Sequence, residues 1–137
     1  MPGAAGILNL PAALAAAIRA HAAELPALEV CGLLGARDGR LCSSYRAHNV
    51  ATTPARAFLM EPAGQIAVMK TMRALGEELA GIYHSHPATA PEPSPTDAAL
   101  AAYPGVAYLI IGPWPDCELR AWRWDGTRFH SLALVLR

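Results

Sequence analysis

The order of apolar and polar positions divides the chain into alternating helical and extended runs. From about Leu10 to Leu25, the residues Leu14, Ile18, Ala22 and Leu25 recur on one helical face, with Pro11 suited to the first turn and Pro26 as a stop. Residues 28–36 (LEVCGLLGA) form an apolar, strand-like run, and residues 41–50 form another. Asp38-Gly39 between them is a hairpin signal. Residues 52–57 read as a loop and 58–60 as a short extended piece. Pro62 opens a second helix with Ile66, Met69, Met72, Leu75 and Leu79 as its apolar stripe and Gly81 as its cap. Residues 80–86 (AGIYHSH) read as a buried strand, 88–93 as a stiff loop and 94–103 as a short helix closed by Pro104-Gly105. A central strand over 106–112 and a hairpin around Asp125-Gly126 complete the chain. This mixture, with a largely antiparallel or mixed sheet, predicts the α/β (α+β) class.

Length and composition narrow the picture. The 137 residues suit one domain, expected over 1–137, and 53% hydrophobic content allows a real core. Lys+Arg and Asp+Glu both number 11, so the formal net charge is +0 and gives no support to a nucleic-acid or anionic-membrane partner. The alanine-rich N-terminus lacks a basic n-region, and Asn9, Pro11, Arg19 and His21 break any apolar run. The odd set Cys31, Cys42 and Cys117 contains no Cys-x-x-Cys pair, which points to a reducing, cytoplasmic setting without disulfides.

The chemistry concentrates between His84 and Asp97. Two histidines at i and i+2 on a strand point to one face. Asp97 follows eleven residues after His86, in the first turn of a helix. Two imidazoles and a carboxylate make an open donor set for catalytic zinc. The plain structural alternative is that the histidines pack or hydrogen-bond, while Ser94, Pro95 and Asp97 form a capped helix start. Pro87, Pro91, Pro93 and Pro95 stiffen the intervening loop, which can pre-organise Asp97 opposite the strand. Glu29 opens an otherwise apolar strand, where a carboxylate is costly unless it borders a cleft. It is a candidate acid/base, with an exposed strand-end carboxylate as the alternative. Cys31, two residues on, shares its face and reads as a core thiol. His21, His48 and His130 read as surface or satisfied polar residues.

These residues resemble the pattern of the JAMM, or MPN+, metallopeptidases: a distant glutamate, then His-Ser-His-Pro, six residues, Ser, two residues and Asp. Glu29, His84-Ser85-His86-Pro87, Ser94 and Asp97 match every fixed position. The resemblance implies a curved, mostly antiparallel mixed sheet flanked by helices, of cytidine-deaminase-like type. It implies one zinc ion per chain held by His84, His86 and Asp97, Glu29 as general acid/base, and Ser94 as an oxyanion-stabilising hydroxyl. Ser85, on the opposite face, is structural, and Pro87 shapes the strand exit. The short chain resembles the compact prokaryotic members, which implies a ubiquitin-like or sulfur-carrier protein with a Gly-Gly tail as substrate. A homodimer is left open. The rival readings are a non-catalytic MPN scaffold and a zinc hydrolase of a small non-peptide substrate.

Overall fold

The computed structural model describes residues 6–137. Its elements are β1 (Ile7–Leu10), α1 (Ala12–Glu24), β2 (Cys31–Arg37), β3 (Arg40–Ala47), α2 (Pro62–Ala74), β4 (Glu78–Ser85), α3 (Pro95–Leu100), β5 (Ala107–Ile111), β6 (Leu119–Trp124) and β7 (Phe129–Leu136). The strands form one sheet in the order β1-β7-β6-β5-β4-β2-β3. The β1–β7 and β4–β5 pairs are parallel and the other pairs antiparallel, giving the mixed, mostly antiparallel sheet expected.

Alternation along β4 sends its side chains to two cores. Tyr83 packs with Leu14, Ile18 and Ala22 of α1 on one face. Ile82 packs with Met72 of α2 on the other, where Ala98 of α3 also rests. Parallel pairing of β4 with the fully buried β5 makes β4 an interior strand, which explains why residues 81–86 are buried throughout.

The Asp38-Gly39 turn forms as its residues predict, with both φ angles positive, at 51° and 77°. Three other boundaries differ from the sequence expectation. The segment before Pro11 is a strand, because Ile7–Leu10 finds a parallel partner in β7 that no local pattern reveals. Helix α2 stops at Ala74, and Gly76 takes the left-handed conformation at φ 72°. Leu79 and Gly81 therefore belong to β4, and of the predicted stripe only Met72 is buried, while Ile66 and Leu75 are exposed. Helix α3 ends at Leu100, short of Tyr103.

One close approach holds β4 in register. Gly32 of β2 lies opposite Tyr83, and a Cβ at this position would overlap the Tyr83 ring. The Tyr83 hydroxyl in turn lies 2.6 Å from His21 Nδ1. Gly32→Ala should thus displace the ring and lower stability by about 1–3 kcal/mol, the usual scale for overpacking. A thermal melt equal to that of the parent would show that the ring can yield at no cost.

Candidate metal and acid/base site

The site stands where β4 ends. His84 and His86 leave the strand on the face that carries Ile82, and α3 brings Asp97 over the same face. Nε2 of His84 lies 3.2 Å from Asp97 Oδ1, and Nε2 of His86 lies 3.1 Å from Asp97 Oδ2. The two Nε2 atoms are 3.2 Å apart. All three side chains are buried.

Their hydrogen bonds show what this cluster suits. The Ala90 carbonyl can only accept, so His86 Nδ1 donates to it across 2.8 Å. In the neutral ring Nε2 is then a bare lone pair aimed at a carboxylate oxygen. His84 Nδ1 is buried with no partner among the described residues. Two ring nitrogens and two carboxylate oxygens thus crowd one point, and positive charge, from ring protons or from a cation, must lie between them. Ligand atoms of the three residues lie within 4.8 Å of one another. The set fits a divalent ion with a preference for nitrogen and oxygen donors.

The two uses of Asp97 weighed from sequence prove compatible. Ser94 Oγ accepts from the Asp97 amide at 3.0 Å, and Asp97 Oδ2 accepts from the Ser94 amide at 2.9 Å, which forms a capping box. Oδ1 remains directed at His84. Burial alone would push the Asp97 carboxyl up, but hydrogen bonds from both imidazoles and the Ser94 amide together hold it well below the usual carboxylate range. Burial lowers His84. It opposes protonation of His86 too, yet the contacts with Asp97 and the Ala90 carbonyl outweigh it and raise His86.

The loop between the histidines and α3 is pinned as well as stiff. Trp122 Nε1 donates to the Pro91 carbonyl at 3.2 Å, and Arg120 pairs with Glu92 at 2.9 Å. Together with the His86–Ala90 bond, three consecutive loop residues are tied down.

Glu29 reaches the site from just ahead of β2, the strand beside β4. The antiparallel register sets Cys31 opposite His84, and strand alternation places Glu29 on the face of both histidines. Ser85 points to the other face and accepts from the Val30 amide at 2.9 Å, while donating to the Leu28 carbonyl at 3.3 Å. It therefore grips the residues on either side of Glu29. The Glu29 side chain is buried, and its Oε1 has no hydrogen-bond partner among the described residues. Burial pushes its carboxyl up to about 7, with Asp97 adding to the rise and His86 opposing it. That places it where a group can both take and return a proton near neutrality. Cys31 is fully buried and burial raises its thiol to about 12, as a core residue.

Sequence reasoning missed Phe58 and Asn49. The Phe58 ring stacks on His84 at 4.5 Å between centroids, and Asn49 ties together the loop that carries it. The available signal for Phe58 was its place as the one aromatic in the short apolar piece 58–60. Phe58, Leu100 and Tyr108 also line an apolar trough that continues past Leu59 and Tyr103 and borders His84 and Asp97. A larger cavity of about 560 Å³ opens between β1 and the β2–β3 turn, and none of the candidate residues lines it. Of the remaining histidines, His21 is buried against Tyr83, His130 pairs with Asp125 at 2.6 Å, and His48 is exposed. Among the described residues, no helix is long and apolar enough to cross a membrane.

Comparisons with known proteins agree with this arrangement. A family profile described as prokaryotic homologs of the JAB domain matches residues 11–125. A desampylase of Haloferax volcanii is 36% identical over 120 residues, covering 86% of this chain and 85% of its own. A CysO-cysteine peptidase of Mycobacterium tuberculosis is 31% identical over 126 residues, covering 88% and 85%. A protein of Desulfitobacterium hafniense solved in solution superposes with a TM-score of 0.84 at 33% identity, over 96% of this chain and 93% of its own.

Proposed function

The chain belongs to the JAMM/MPN family in its compact prokaryotic form, and from that premise we propose that it is a zinc peptidase cutting after the Gly-Gly tail of a ubiquitin-like carrier. That it is a hydrolase of JAMM type sets the scaffold reading aside. The carrying observation is the convergence of His84, His86 and Asp97, with the buried Glu29 carboxyl on the same face and its Oε1 without a hydrogen-bond partner among the described residues. The relatives named above, a desampylase and a CysO-cysteine peptidase, support a conjugate of a ubiquitin-like carrier as substrate.

His84, His86 and Asp97 hold the metal in this reading. Zinc bound there supplies Lewis-acid polarisation and brings the pKa of water down to about 7. Glu29, whose carboxyl is raised by burial, would take the proton of the attacking water and return it to the leaving amine. Ser94 uses Oγ as an acceptor in the helix cap, so its hydroxyl hydrogen is free to donate to the developing oxyanion. His86 is kept in one tautomer by Ala90, which keeps Nε2 directed at the centre.

In this reading the loop at residues 88–93, tied to His86, Trp122 and Arg120, borders the path of the tail, which would pass it as an extended chain. Glycine suits a position where another backbone passes close by. A ubiquitin-like carrier fused through its tail to a short peptide should be cut after Gly-Gly and resist cutting after Ala-Ala, as read by mass spectrometry. Equal cleavage of both tails would remove the narrow-passage argument. Zinc-loaded protein that cuts neither would favour a small non-peptide substrate instead.

A further inference from the structure

We infer that Asn49 is a positioning residue that sets the acid/base Glu29 and the Phe58 ring on His84 as one unit. Its side-chain amide donates to the Glu29 carbonyl at 2.9 Å and to the Ala57 carbonyl at 3.0 Å. Its carbonyl oxygen accepts from the Leu59 and Ala51 amides, each at 3.0 Å. Both donors and both lone pairs are used, and the partners dictate the orientation, since two are carbonyls and two are amides.

The partners are not scattered. Ala57 and Leu59 bracket Phe58, whose ring stacks on His84. Glu29 is held at its carbonyl by Asn49 and at its amide by the Pro54 carbonyl of the same loop, at 2.8 Å. The loop therefore joins two parts of the site, Glu29 ahead of β2 and the Phe58 ring on His84 of β4. No strand ladder does this, because Glu29 precedes β2 and Phe58 lies outside any strand; backbone bonds contribute singly, from Glu29 to Pro54 and from Val50 to Leu59. Two backbone bonds around the isolated Asn49–Met60 bridge close the loop, and side-chain bonds of Asn49 tie that closure to Glu29 and to the residues on either side of Phe58.

The inference rests on the reading of Glu29 as acid/base, and its test separates the two. Asn49→Asp keeps both acceptor contacts but loses both donors and turns a carboxylate oxygen toward the Glu29 carbonyl. Zinc content and KM should stay near those of the parent, while kcat falls by about 10- to 100-fold, the scale of a slightly misplaced catalytic group. In a Glu29→Gln background the same substitution should change kcat by less than about 2-fold, because the group it positions is already gone. Equal losses in both backgrounds would overturn the inference. Amide hydrogen exchange needs no activity: protection at Glu29, whose amide bonds Pro54 of the same loop, should fall in Asn49→Asp while that of β5 stays. Unchanged protection at Glu29 would also overturn it, even in a chain with no peptidase activity. Asn49→Ser, which keeps one short donor and acceptor, serves if the aspartate variant does not fold and should give a smaller loss with the same background dependence.

Discussion

Glu29→Gln should leave zinc content and melting temperature close to those of the parent and lower peptidase kcat by about 10²-fold or more, the usual contribution of a general base. The amide keeps the shape of the side chain but cannot take a proton. No hydrogen bond to Oε1 is sacrificed, since that atom has no partner among the described residues. Burial raises the Glu29 carboxyl toward 7, so a neutral side chain is already tolerated at this position. The substitution can even stabilise the metal-free fold slightly, as it removes a buried charge. Zinc lost along with activity would make Glu29 a ligand and would transfer the acid/base role elsewhere.

The second large effect is expected at Asp97. Asp97→Ala should lose most of the zinc and reduce hydrolysis to background, as measured by elemental analysis of protein purified without added metal. It also removes the capping partner of Ser94, which costs about 1 kcal/mol on its own. Asp97→Asn distinguishes the two roles. Its side-chain oxygen can still accept from the Ser94 amide, so the helix start survives, but the charge facing both imidazoles is gone. The asparagine variant should melt near the metal-free parent and still bind zinc poorly. His84→Ala should match it in zinc loss without touching the cap. Zinc retained equally in Asp97→Ala and His84→Ala would show that the metal, if bound, sits elsewhere.

Much of the site was legible along the chain because its largest part is local. His84 and His86 are two residues apart on a strand, and strand alternation alone puts them on one face. Asp97 follows through a loop whose prolines leave little freedom, and Ser94-Pro95 starts a helix by rules that act within one turn. The hairpin at Asp38-Gly39 formed for the same reason, since only the two turn residues need special backbone angles. Helix α2 shows the limit of such reasoning. An apolar stripe running from Ile66 to Leu79 reads as one helix, yet the chain leaves it before Gly76 and the last member, Leu79, joins β4.

What the sequence determined by itself was the donor set, its spacing and the elements that present it, all set by interactions within about a dozen residues. Tertiary structure decided how Glu29 meets that set. The two are joined by the antiparallel register that places Cys31 opposite His84, which depends on Gly32 admitting the Tyr83 ring from across the sheet. Tertiary structure also decided that β1 is a strand, through a parallel partner more than a hundred residues away, and that the loop of Asn49 and Phe58 belongs to the site. Contacts between distant residues leave no periodic trace in either segment. Each is chosen by the energy of the assembled core, where one register buries the apolar face and a shift by one residue exposes it.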